Sequence, residues 1–191
     1  MLRDMGMLHT GGHFSLPVSG RHGTTRINKE VIHRNRIAMF SLARMIAKEF
    51  IAAEPEGVIG PMNIGKLIAD WVTDNLILMT GKSVESLAAI KKSGGRAFSL
   101  DEPTRKLVHK RRLLLVDDIV NTGESARRTI DAILEYGGNI VGFGVLFNHC
   151  VWNSAHLADV PKFVALAHVE LDSWAPPACP SCADGVPLKE L

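Results

Sequence analysis

The sequence predicts an α/β fold, a mostly parallel twisted sheet with helices on both faces. Three observations carry this. Short apolar runs of strand length alternate with longer segments whose apolar residues recur every three or four positions. One run, residues 113–116, holds no polar residue, as expected of a strand buried on both faces of a parallel sheet. Pro55 and the Gly137-Gly138 pair fall at the ends of two helical segments, where the chain must turn back. Right-handed crossovers between parallel strands then leave few topologies.

The elements follow in order. The first dozen residues are rich in Gly and Met and read as irregular. Residues 13–16 and 24–27 read as two short strands around a turn at Ser19, Gly20, Arg21 and His22. Asn28 is placed to cap a long helix reaching about residue 53, with Met39, Leu42, Ile46 and Phe50 on one face and Pro55 beyond its end. Residues 57–60 form a short strand, and a second helix carries Ile64, Ile68, Val72 and Leu76. Strands are expected at 84–90 and, briefly, at 97–100. The 113–116 strand comes next, then a helix over 125–136 closed by Gly137 and Gly138, which suit a C-terminal cap. Strands at 139–147 and 163–169 complete the rhythm.

Composition narrows the class. The 191 residues suffice for one domain with a sizeable core, and 46% hydrophobic with 22% charged residues are globular values. A formal charge of +2 does not argue for nucleic acid or an anionic membrane as partner. No apolar run reaches membrane-spanning length, and residues 1–15 lack the core of a signal peptide, so a cytoplasmic protein is expected. Three cysteines make no disulfide framework.

The chemistry concentrates after residue 112. The apolar strand is expected to end at Asp117 and Asp118, and a turn with Asn121, Thr122, Gly123, Glu124 and Ser125 leads into a helix. Ligands of open α/β sheets bind at the carboxyl ends of strands. Backbone N–H groups and hydroxyls on the positive end of a helix make a phosphate site. Two carboxylates would repel that phosphate, so they are better placed to accept the vicinal hydroxyls of a ribose whose 5′-phosphate sits in the turn. A helix cap alone needs one Asp and explains neither the second nor the Thr-Gly turn.

The run Val116-Asp117-Asp118-Ile119-Val120-Asn121-Thr122-Gly123-Glu124-Ser125 resembles the phosphoribosyl-pyrophosphate (PRPP) signature of the type I phosphoribosyltransferases. Gly60-Pro61-Met62-Asn63-Ile64-Gly65 is similar to that family's pyrophosphate loop, and two such glycines permit close approach of backbone to an anion. The opening from His13 to His22 resembles the orotate-type hood over the base site, with one extra residue between Leu16 and Ser19. Together the likeness covers about residues 13–188 and points to a divergent enzyme of orotate type. It implies one phosphoribosyltransferase domain over 1–191, with residues 1–28 and parts of 149–191 as the hood. It also implies a glycosyltransferase that makes a nucleoside 5′-monophosphate and pyrophosphate from PRPP and a nucleobase, Mg2+ carried with the pyrophosphate, and a homodimer.

Site roles follow from the same likeness. Asp117 and Asp118 would hold the ribose, and residues 121–125 the 5′-phosphate. Gly60, Gly65, Lys91, Lys92 and Arg96 would neutralise the pyrophosphate, with Asp117, Asp118 and Lys92 as the catalytic set. Ser19, Gly20, Arg21, His22 and His149 would face the base. Two departures bear on the acceptor. Relatives place an Arg after the strand that here ends in Asn148-His149-Cys150, and a neutral imidazole lacks the guanidinium fork that suits a carboxylate. The basic loop Lys91-Lys92-Ser93-Gly94-Gly95-Arg96 is shorter than that of many orotate enzymes. A purine or another pyrimidine as acceptor, or a PRPP-binding regulator without turnover, are the alternatives.

No metal-ligand set is assigned within the chain. Cys179-Pro180-Ser181-Cys182 is half a zinc site, and Cys150 with His149, His156 or His168 are the candidates for the rest. The competing reading is a Pro-rich turn packed on the domain.

Overall fold

The computed structural model describes residues 6–16, 20–28, 31–91, 98–120, 123–149, 159–169 and 172–189. The chain divides into two compact units, Met1–Arg36 with Glu170–Leu191, and Ile37–Val169.

The larger unit holds a six-stranded sheet. Its strands are β3 (Gly57–Pro61), β4 (Glu85–Lys91), β5 (Phe98–Ser99), β6 (Arg112–Val120), β7 (Asn139–Asn148) and β8 (Phe163–His168), in the spatial order β5-β4-β3-β6-β7-β8. All neighbours are parallel except the short edge strand β5, which runs antiparallel to β4. The expected α/β sheet is therefore what forms. The crossovers carry α3 (Ile64–Thr80), α4 (Glu102–Val108) and α5 (Glu124–Glu135), and α2 (Arg36–Phe50) precedes the sheet.

Alternation along the buried strands supplies both faces. Ile59, Leu113, Leu115, Phe143 and Val145 join Val108 of α4 and Ala126, Ile130 and Ile133 of α5 in one core. On the other face β7 turns Gly142 and Gly144 toward Phe50 and Ile46 of α2, which leave no room for a side chain at either glycine. Gly137, in the left-handed region at φ 74°, ends α5. Its N–H donates to Leu134 O and that of Gly138 to Ile133 O, as the sequence predicts for this cap.

Several expectations are corrected. The apolar strand does not end at the carboxylates: β6 runs through Asp117 and Asp118 to Val120, because β7 pairs with it as far as Asn148. The long helix from Asn28 is interrupted. A single turn, α1 (Val31–Arg34), is followed by Asn35 and then α2, and a 3-10 turn at Ile51–Ala53 follows. Asn is a poor helix-interior residue, which fits a break there. The backbone N–H of Asn28 donates to Met7 O at 2.8 Å. The helix α4 was not foreseen, although Asp101 caps it by accepting from Thr104 N at 3.0 Å and Pro103 sits in its first turn.

In the smaller unit residues 8–12, expected to be irregular, belong to a strand, while residues 1–5 lie outside the described residues. β1 (Leu8–Ser15) pairs antiparallel with β2 (His22–Ile27), from Leu8 opposite Ile27 to Ser15 opposite His22. An irregularity between Thr10 and Phe14 absorbs the Gly11-Gly12 pair, whose glycines obscured the strand in the sequence. The tail runs along this hairpin: His22 and Trp174 exchange backbone hydrogen bonds at 2.8–2.9 Å, and Lys189 N donates to His13 O at 2.7 Å. A short turn of helix, α6 (Pro180–Ala183), lies within the tail. Among the described residues no helix is long and apolar enough to cross a membrane.

Candidate active site at the carboxyl edge of the sheet

Strands β4, β3, β6 and β7 are parallel neighbours, so their carboxyl ends open on one edge. That edge gathers the residues singled out from the sequence. Asp117 is half-buried and Asp118 is 6% exposed, next to each other near the end of β6. Both carboxylates are fixed by local backbone: Asp117 Oδ1 accepts from Asp118 N at 2.8 Å, and Asp118 Oδ1 from Ile119 N at 2.7 Å. One oxygen of each group orients it, which aims the pair without leaning on long side chains.

One strand over, β3 runs into the Gly60–Gly65 turn at the start of α3. A Cβ on Gly60 would lie 2.1 Å from Gly65 O, so the turn closes backbone against backbone. A Cβ on Gly65 would stand 3.2 Å from Asp117 Oδ1. The glycine turn and the acidic pair, separate motifs in the sequence, thus lie side by side. Met62 N donates to Ala89 O at 2.9 Å, which ties the turn to β4 as well. Lys66, the nearest cation in sequence to this turn, is committed to Asp70 and to Ser86 Oγ.

Gly123 is the N-terminal cap of α5 and adopts φ 75°, a conformation that only glycine takes without strain. The first turn of α5, Glu124 and Ser125 included, therefore starts at the end of the signature with its N–H groups and dipole toward that end. The Glu124 carboxylate is turned along the helix to Arg128, which eases the apparent conflict of an acid in a turn expected to bind an anion. Asn121 and Thr122 lie outside the described residues, as do Lys92 and Arg96; Lys91 is the last residue of β4, at the same edge.

His149 follows β7 directly. Its N–H donates to Val120 O at 2.9 Å, so its backbone stands beside the end of β6. Asn148, only 2% exposed, is paired in register with His168, its Nδ2 3.4 Å from His168 Nδ1.

The other expected base contacts belong to the smaller unit. Ser19 lies outside the described residues, and Gly20, at φ 63°, closes the hairpin turn. Arg21 donates to Ser173 Oγ at 3.1 Å and Ser173 O at 2.7 Å. His22 opens β2, and its ring meets three residues that sequence reasoning did not bring to it: His13, Cys179 and Cys182. The Cys-x-x-Cys spacing was the available signal.

A family model described as the phosphoribosyl transferase domain matches residues 30–165. The orotate phosphoribosyltransferase of Pelotomaculum thermopropionicum is 32% identical over 180 residues, covering 92% of this chain and 86% of that protein. The orotate phosphoribosyltransferase of Thermus thermophilus is 29% identical over 180 residues, covering 94% and 92%. The crystal structure of orotate phosphoribosyltransferase from Aeropyrum pernix superposes with a TM-score of 0.65 at 22% identity, over 88% of this chain and 91% of that one. The domain match spans the strands, turn and helix that build the carboxyl-edge site, and these relatives align along nearly the whole chain. This chain belongs to the phosphoribosyltransferase family.

Proposed function

We propose that this phosphoribosyltransferase uses orotate as its acceptor, forming a nucleoside 5′-monophosphate and pyrophosphate from PRPP within pyrimidine biosynthesis. The observation that supports the transfer chemistry is the close placement of Gly65 beside Asp117, where even a Cβ would stand 3.2 Å from the carboxylate, which sets the acidic pair of β6 next to the glycine turn of β3. The choice of orotate is supported by the relatives above, whose names specify it.

Each group then has a physical task. Asp117 and Asp118 accept hydrogen bonds from the ribose hydroxyls, while residues 121–125 hold the 5′-phosphate on the positive end of α5. Backbone N–H groups between Gly60 and Gly65, with Lys91, Lys92 and Arg96, draw off the charge that develops on departing pyrophosphate. Catalysis is positioning plus electrostatic stabilisation of an oxocarbenium-like transition state, and it asks for no side-chain nucleophile. The two carboxylates are hard oxygen donors, which fits a Mg2+ carried in with PRPP; that ion supplies further neutralisation of the leaving group. In the larger unit, His149 is the residue taken to face the base. A cytoplasmic homodimer belongs to the same reading.

One observation favours a second reading. By the family resemblance, relatives carry an Arg at the position where this sequence has His149, so an uncarboxylated base is the competing acceptor. A panel of orotate, uracil, adenine, hypoxanthine and guanine, each with PRPP and Mg2+ and read by pyrophosphate release, separates them. Turnover with orotate alone is the expected result. Turnover with another base overturns the acceptor, and PRPP binding without release on any base overturns the enzyme in favour of a regulator.

A further inference from the structure

We infer that His13, His22, Cys179 and Cys182 form a structural zinc site that clips the N-terminal hairpin to the C-terminal tail. One ligand atom from each residue lies within 4.8 Å of all the others. His13 Nε2 is 3.0 Å from His22 Nδ1, 3.5 Å from Cys179 Sγ and 3.7 Å from Cys182 Sγ, and His22 Nδ1 is 3.1 Å from Cys182 Sγ. A tetrahedral zinc with ordinary bond lengths has edges of about 3.4 Å between nitrogens and about 3.6 Å between nitrogen and sulfur. The four atoms already stand near the corners of that figure.

Proton bookkeeping points the same way. His13 Nδ1 is 2.7 Å from Val186 O, and a carbonyl only accepts, so Nδ1 carries the ring proton and Nε2 turns a lone pair inward. One lone pair then faces another imidazole nitrogen and two sulfurs, more neighbours than a single hydrogen bond accounts for. A cation at the centre uses all four groups at once. The bond from His13 to Val186 O is the outer hydrogen bond that fixes the tautomer of a metal-binding histidine. His13 and Cys179 are each 2% exposed and His22 9%, so the inner ligands are withdrawn from water, while the exposed Cys182 leaves an entry path.

The local structure holds these ligands for definite reasons. Ser15 pairs with His22 across the hairpin, and His13, at the end of the irregularity before Phe14, sets its ring edge-on against that of His22 at 4.9 Å between centroids. Cys179 and Cys182 sit on a turn in which Cys182 N and Ala183 N both donate to Cys179 O at 3.1 Å. Two thiolates and two imidazoles suit zinc and not the hard cations that prefer oxygen. Four protein ligands leave no open position, so the ion is structural, and its binding releases the two thiol protons. In this account the partners of the Cys pair are His13 and His22; of the candidates considered from the sequence, Cys150 and His156 lie outside the described residues, and His149 and His168 are not in this cluster. His22 is a ligand in this account, not a base contact. The inference stands independently of the acceptor base.

The test uses the full chain purified reduced and free of chelator. Elemental analysis is expected to find about one zinc per chain. Replacement by Co2+ should give the visible bands of a tetrahedral site and a thiolate-to-cobalt charge-transfer band, a readout on the unaltered protein. Cys182→Ser should lose the charge-transfer intensity and most of the zinc, while Cys150→Ser keeps both. Wild-type protein that takes up neither ion, a Cys179–Cys182 disulfide in the protein as isolated, or loss of metal in Cys150→Ser would each overturn the assignment.

Discussion

Adding one methyl group at Gly60 tests the geometry of the turn proposed to hold the pyrophosphate. In Gly60→Ala the new Cβ would sit 2.1 Å from Gly65 O and 2.3 Å from Gly65 C, both backbone atoms that no rotamer change can move aside. To reach ordinary van der Waals contact, Gly65 must retreat by about 1.3 Å. Gly65 also lies beside Asp117, so the retreat alters the spacing between the turn and the acidic pair proposed to hold the ribose. A misplacement of about 1 Å can cost on the order of 100-fold in rate, or about 2.7 kcal/mol of transition-state stabilisation. The overpacking itself should cost about 1–3 kcal/mol of stability. Steady-state pyrophosphate release and a thermal melt measure the two effects separately. Gly81→Ala is the control: Gly81 has φ 68° with nothing within 4 Å of its Cβ position, so the change costs stability, about 1 kcal/mol, and should leave kcat/KM unaltered. A Gly60→Ala enzyme with wild-type kcat/KM would refute the close approach of this turn to the reacting groups.

Three other outcomes are expected. Asp118→Asn keeps the oxygen that accepts from Ile119 N, so it should melt like wild type yet lose about 1.5–3 kcal/mol of transition-state binding to the ribose, seen as a fall in kcat/KM. His149→Arg should lower the KM for orotate and leave that for PRPP nearly unchanged, because it supplies a charged pair of donors where the imidazole offers one; equal KM values for orotate would remove this position from the base site. Asp101→Ala should destabilise the chain by about 1 kcal/mol through loss of the α4 cap. The hydrogen bond from Thr104 holds the Asp101 carboxyl below its ordinary value, so the cap's contribution is complete above the unfolded pKa and disappears as pH falls through the lowered one. Wild type and Asp101→Ala should therefore converge in stability in acid, and a gap that persists there would show that the cap is not ionic.

Much of the site was legible because its parts are local. The 113–116 run, the acidic pair and the Gly-bounded turn are contiguous, and their chemistry follows from adjacency alone. The length of β6 was not legible: carboxylates are poor strand residues, and only the pairing of Asp117 with Val145 and Ile119 with Phe147 carries the strand on past them. Likewise the Gly11-Gly12 pair hid the first half of β1, which its partner residues 25–27 impose. The α4 helix is a different case, since Asp101-Glu102-Pro103-Thr104 is a readable capping sequence. What no local pattern reveals is the meeting of His13 with Cys182, 169 residues apart. The spacing marked the cysteine pair as half a metal site, but only the tail's pairing along the hairpin selects the two histidines that complete it.

Incubating the purified chain with PRPP, Mg2+ and orotate as the sole acceptor, and identifying the products by mass spectrometry, tests the central claim most directly. The account predicts orotidine 5′-monophosphate and pyrophosphate in equal amounts, with the rate strongly reduced in Asp118→Asn. Wild-type protein that binds PRPP but yields no nucleotide from orotate, or an Asp118→Asn variant as fast as wild type, would contradict it.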